Sequence, residues 1–158
     1  MSYIARLMAL ESYRQALTAL ERREADRIYC KHDLDHFLDV ARITLLLCQA
    51  YDIEADRDSV YLAALMHDLG RLDRDETDHN VAGTVLAAQW LDAIGFPKDR
   101  QEVVLTLIEE HGWPGKKAPA NLSEAFSLAD SYSRACYYCP AADSCFWPPE
   151  RKNTHPLY

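Results

Sequence analysis

Apolar residues recur along this chain at helical spacing, and no run alternates in the manner of a half-buried strand. Over residues 3 to about 28, Leu10, Tyr13, Leu17 and Leu20 make one apolar face, with Arg14, Glu21, Arg22, Arg23 and Glu24 on the others. This predicts one amphipathic helix for packing or dimerisation. The polar run Cys30-Lys31-His32-Asp33 leads into two apolar rows, Leu34, Leu38, Ala41, Leu45, Cys48 and His36, Val40, Ile43, Leu47. A helix apolar almost all round lies in the middle of its fold, and His36 stands near its start.

Asp56 and Asp58 can cap the next helix, whose face runs Val60, Ala64, His67 and which Gly70 ends. The charged segment Arg71 to Asp78 connects it to a helix with His79, Gly83, Leu86 and Trp90 on one face, stopped by Gly95 and Pro97. Val104, Leu107, Ile108 and His111 follow, with His111 on the last turn before Gly112. Residues 113–120 read as a Pro- and Gly-containing loop. Asn121 and Glu124 then have capping-box spacing, opening a helix with Phe126, Ala129 and Ser133 inward and Asp130 alongside. The expectation is an all-α fold: one domain of about six helices with an irregular C-terminal tail. Its parts are an N-terminal helix (1–28), a core (29–135) and a cysteine- and proline-rich tail (136–158).

Length and composition agree with a single packed domain. The chain has 158 residues, and 49% hydrophobic with 27% charged residues argues against disorder. Arg6, Glu11 and Arg14 interrupt the N-terminal apolar residues, so neither a signal peptide nor a membrane span is expected and the setting should be cytoplasmic. A net charge of −8 disfavours a nucleic-acid polymer as partner, but leaves room for a small anionic substrate where basic groups gather.

The candidate chemistry centres on His67-Asp68, adjacent metal-capable side chains that point about 100° apart on a helix. His36, His79, His111 and Asp130 are likewise embedded in helical patterns rather than polar loops. One histidine on an apolar face is usually a hydrogen-bonded core residue. Four of the six histidines on such faces, with two aspartates, point to a metal centre instead. Imidazole and carboxylate together suit zinc, iron or manganese, and six ligands exceed what one catalytic ion needs.

A histidine (His36), then His67-Asp68, then a distant aspartate (Asp130) resembles the HD-domain metal-dependent phosphohydrolase superfamily, over about Leu34 to Ser133. Within it, His79-Asn80-Val81-Ala82-Gly83 and Glu110-His111-Gly112 look most like the small single-domain branch that hydrolyses dinucleoside polyphosphates. The resemblance implies hydrolysis of a phosphoester or phosphoanhydride, of a nucleotide, by a metal-bound hydroxide. One or two divalent ions (Fe, Mn, Zn or Mg) would serve. His36, His67, Asp68 and Asp130 would hold the first, Asp68 would bridge, and His79 and His111 would complete the second. Arg71, three residues after Asp68, is the preferred phosphate contact. His32, four residues before His36, shares its face if the helix reaches that far. The other function classes are an HD-type di-iron oxygenase and a non-catalytic metal- or redox-sensing module.

Cys136, Cys139 and Cys145 form C-x2-C-x5-C, a spacing that lets thiolates converge on zinc or an iron–sulfur cluster. Cys30 is the candidate fourth ligand. It precedes His36 by six residues as Cys136 follows Asp130 by six, so on antiparallel helices both would be displaced to one side by about 9 Å. Cys48 reads as a core cysteine.

Overall fold

The computed structural model describes residues 1–73 and 78–158; residues 74–77 of the predicted Arg71–Asp78 connection lie outside the described residues. Seven α-helices and no strand occur among those described: α1 (Tyr3–Ala9), α2 (Glu11–Arg23), α3 (Leu34–Ala50), α4 (Arg57–Met66), α5 (His79–Ala93), α6 (Lys98–Glu110) and α7 (Leu122–Tyr132). None of them is long and apolar enough to cross a membrane.

The one helix beyond the expected six comes from a break at Leu10, whose extended backbone (ψ 124°) separates α1 from α2. Leu7, Tyr13, Leu17 and Leu20 are all buried, so the apolar phase runs across the break, which is why periodicity alone reads one helix. The helix also stops at Arg23, short of residue 28.

Asp33, Asp56, Asp78 and Asn121 each cap the helix that follows, their side chains accepting from backbone N–H groups of the first turn. At α7 the capping box is shifted: Asn121 accepts from Glu124 N–H, but Glu124 accepts in return from Ala120. Gly95 (φ 67°) follows α5 in the left-handed conformation expected of a terminating glycine. Gly112 is not left-handed, and His111 lies just past α6 in extended backbone rather than on its last turn.

Helices α3, α4, α6 and α7 pack in a ring, α3 against α4 and α7, and α6 against α4 and α7. Helix α5 lies on α6 and on a 3-10 turn at Leu69–Leu72; α1 covers α4, and α2 covers that turn. The buried apolar side chains form one cluster through this ring, including Phe37, Leu62, Leu107 and Phe126. The N-terminal helices are thus part of the core.

Tyr13 is fully buried, donates its hydroxyl to Leu65 O at 2.9 Å and meets the Trp90 ring edge-on. Burial holds its pKa well above the usual tyrosine value, so the fold keeps the phenol neutral. Its contribution is complete below about pH 10 and declines as pH rises past that value, where the unfolded chain ionises first. Tyr13→Phe should cost about 1 kcal/mol at neutral pH and remove part of the alkaline loss, as read from urea midpoints across pH.

Candidate metal centre

The ring of helices brings one ligand candidate from each member to the same end. His36 stands in the first turn of α3, His67 caps the end of α4, His111 follows α6, and Asp130 lies near the end of α7. Asp68 follows His67 directly. His79 opens α5, and Asn80 beside it donates to both Glu109 O and His111 O, tying the start of α5 to the end of α6.

Each of three histidines has one ring nitrogen committed to the protein. His67 Nδ1 donates to Ala64 O (2.7 Å), His111 Nδ1 to Ile108 O (2.6 Å), and His36 Nδ1 to Ser133 Oγ (2.9 Å), whose own hydroxyl donates to Asp130 O. These bonds set the tautomer and leave each Nε2 as a lone pair facing the others, the arrangement that supports metal-ligating imidazoles.

The Nε2 atoms converge on Asp68, which is 1% exposed and presents a different oxygen to each side. Oδ2 faces His67 (3.0 Å) and His36 (3.6 Å), while Oδ1 faces His79 and His111, both at 3.8 Å. Asp130 Oδ1 closes the first group, 3.3 Å from His36 Nε2 and 3.9 Å from His67 Nε2. Two sets result, His36-His67-Asp68-Asp130 and Asp68-His79-His111, each with ligand atoms within 4.8 Å of one another. Bonds of about 2.1 Å to one ion place neighbouring ligand atoms about 3–4 Å apart, so both sets have the right span.

A buried orphan supports the fit. His67 Nε2 is completely buried and lacks a hydrogen-bond partner among the described residues, since its approach to Asp68 is close but misaligned. An unpaired nitrogen in the core is costly unless a cation claims its lone pair. Charges in the cluster point the same way. Burial alone would raise the Asp68 carboxyl, but the imidazoles around it hold it well below the ordinary carboxylate range; Asp130 is lowered for the same reason. Burial also opposes charge on His67, yet the two aspartates outweigh it and raise its pKa, so protons and a metal ion compete for one atom.

These contacts gather a His/Asp cluster compatible with a divalent metal ion, and a family comparison agrees with it. Residues 33–135 match the HD domain family model. The chain belongs to the HD domain family. The HD domain is a helical fold of metal-dependent hydrolases, and its match starts at the Asp33 cap of α3 and ends two residues after Ser133. The chain is also 32% identical over 132 residues to a Clostridium beijerinckii protein named only as an uncharacterized protein, covering 82% of each. No solved structure matches it.

Around this HD centre lie groups that helical periodicity does not mark. Arg71 Nε donates to Asp68 Oδ1 at 2.5 Å, turned back onto the site by the 3-10 turn. Helix α3 does not reach His32, yet His32 is buried with Nε2 3.6 Å from Asp68 Oδ2. Its Nδ1 is held at 2.7 Å by Glu24, whose other oxygen accepts from His32 N–H. Burial, with Arg71 and Arg134 nearby, pushes the His32 pKa down to about 4, so the ring is neutral at physiological pH. Glu24, expected on a polar face, is 8% exposed. It continues the Leu17, Leu20 row by one more helical step, a signal present in the sequence.

Arg134 was also missed. It follows Asp130 by four residues, donates from Nη1 to Lys31 O and brings Nη2 to 2.9 Å from His36 Nε2. Together with Arg27, Arg71 and Arg151 it lines a cavity of about 250 Å³ that His32 and Asp130 also border. Arg151 stacks on Trp147, 3.8 Å from the ring centroid, and its Nε is buried without a partner among the described residues. Lys116 and Lys117, by contrast, are exposed and bond Lys152 O and Glu124.

Of the cysteines, Cys30, Cys136, Cys139 and Cys145 line one further cavity, although α3 begins after Cys30 and α7 ends before Cys136. The helical extension behind the 9 Å argument is therefore absent. Cys48 is buried in the core.

Proposed function

We propose that this HD domain protein is a phosphohydrolase that cleaves a phosphoester or phosphoanhydride bond in a small substrate, a nucleotide, in a cytoplasmic setting. The carrying observation is the sharing of Asp68 between two ligand sets beside a cavity lined by four arginines. In a chain of net charge −8, so local a concentration of guanidinium groups suits phosphate oxygens, which their planar forks bind in pairs.

His36, His67, Asp68 and Asp130 would hold one divalent ion and Asp68, His79 and His111 a second. Such ions lower the pKa of water, orient it and neutralise charge that develops on phosphorus oxygens. The chain's own side chains supply the rest. Arg71 and Arg134 stand beside the two ligand sets, placed to bind phosphate oxygens and stabilise the charge that grows there. His32, with Nδ1–H held by Glu24, keeps Nε2 as an acceptor and can take a proton from the attacking water. Tyr29, Phe146 and Trp147 wall the same cavity with aromatic faces on which a base can stack.

The test is phosphate or nucleotide release by anaerobically purified protein loaded with manganese or iron, across mononucleotides, cyclic nucleotides and dinucleoside polyphosphates. Turnover that chelator abolishes and metal restores is expected. Silence across the panel in protein shown to carry its metals overturns the reading, and oxygen consumption by the iron form without phosphate release replaces it with oxygen chemistry.

A further inference from the structure

The cysteines have no part in the hydrolytic chemistry above, although the cavity they border shares His36 and Arg134 with it. Three of its sulfurs come from a tail folded into tight turns: single 3-10 turns span Cys136–Tyr138 and Ala142–Ser144, with Cys139 N–H donating to Cys136 O and Cys145 N–H to Ala142 O. Cys30 reaches the same cavity from the α2–α3 connection, more than a hundred residues away in the chain, with φ 32°. Non-glycine residues are uncommon in that left-handed region.

All four cysteines are partly exposed, none is in a disulfide, and together they border a space of about 360 Å³.

We infer that Cys30, Cys136, Cys139 and Cys145 ligate an iron–sulfur cluster in this cavity. Room favours a cluster over one zinc ion. With zinc–sulfur bonds of about 2.3 Å, four thiolates on one tetrahedral ion stand only about 3.8 Å apart. Among the described residues, the sets whose ligand atoms lie within 4.8 Å of one another are both built on Asp68, and the cysteines form none. The space of about 360 Å³ that the four thiols border has room for a cluster, which binds thiolates at its outer corners. Each thiol gives up its proton on binding, and the resulting anionic group meets Lys31, Arg134 and Lys152 on a cavity wall that also carries Asp33 and Asp39.

The cluster also gives the tail a centre. Beyond α7 the tail has no α-helix, and it is tied to the body by Tyr29 Oη donating to Ser144 O and by Asn153 Nδ2 donating to Ser131 O and Arg134 O. Trp147 and Arg151, which wall the arginine cavity, follow the last cysteine by two and six residues.

The test is reconstitution of the anaerobic protein with sulfide and a mixture of ferrous and ferric iron, the ferric ion supplying the oxidised iron of the cluster, followed by assay of acid-labile sulfide. Sulfide separates this site from iron held by the histidines and aspartates. Bound sulfide of about two or four per chain, with a visible charge-transfer band, is expected. It should persist in Asp68→Ala and Cys48→Ser and vanish in Cys136→Ser and Cys30→Ser. Alkylation of the unsubstituted protein, read by mass spectrometry with and without the cluster, needs no variant and should show Cys30, Cys136, Cys139 and Cys145 protected on loading. Protein that takes up no sulfide, that fills the site with zinc while excluding sulfide, or whose four cysteines alkylate equally with and without loading overturns the inference.

Discussion

Asp68→Ala should abolish turnover and strip the protein of both ions while leaving its helices in place. Asp68 is the only residue common to the two ligand sets, with Oδ2 turned to His36 and His67 and Oδ1 to His79 and His111. Removing any other ligand weakens one set, whereas removing Asp68 leaves one set without its bridging carboxylate and the other with two histidines alone. Loss of at least about a thousand-fold in kcat/KM is expected, equivalent to about 4 kcal/mol of transition-state stabilisation. The fold should survive because the surrounding core, Phe37, Leu65, Met66 and Phe126, does not depend on the carboxylate. Without that charge the buried His67 loses the partner that raises its pKa and simply stays neutral. Metal content by elemental analysis, far-ultraviolet circular dichroism and turnover on one preparation make the comparison. Full turnover with a native spectrum would rule out the assigned centre.

The cluster residues were legible in the sequence because they interrupt a pattern. His36, His67 and His111 stand where helical spacing calls for core residues and Asp130 beside such a position, and a polar group on a buried face has to be accounted for. The same logic was available for Glu24, one step beyond Leu20 on the apolar face, and for Arg134, four residues after Asp130. Both lie just outside a helix end, where periodicity loses its authority. Arg27 and Arg151 carry no periodic signal at all. They come from irregular segments, and only the folded tail places Arg151 against Trp147 and both arginines on one cavity. The break at Leu10 was hidden for the opposite reason: the apolar phase survives it, so sequence and structure agree about the face and differ about the backbone.

Gly70 shows the same limit from the other side and leads to the second large effect. Its place after a helix reads as termination, but its φ is not positive; what it provides is room. A Cβ there would lie 1.9 Å from His79 O and 2.5 Å from Gly83 N. Gly83 on α5 faces it with milder crowding, its own built Cβ 3.2 Å from Ile108 Cγ2 and 3.4 Å from His67 O. The two glycines let α5 settle on the 3-10 turn, and this contact sets His79 at 3.8 Å from Asp68. Both offending atoms belong to backbone, so no rotamer change can relieve the clash in Gly70→Ala. Helix α5 must move, at a cost of at least about 3 kcal/mol, the upper end for overpacking. His79 moves with it, while His36 and Asp130 stand on α3 and α7, outside the contact. Gly70→Ala should therefore lower the denaturation midpoint and reduce bound metal from two ions towards one, keeping the set that contains His67. Gly112→Ala, with nothing within 4 Å of its built Cβ, should change neither reading. If Gly70→Ala binds two ions with unchanged stability, the close packing of α5 is not what places His79.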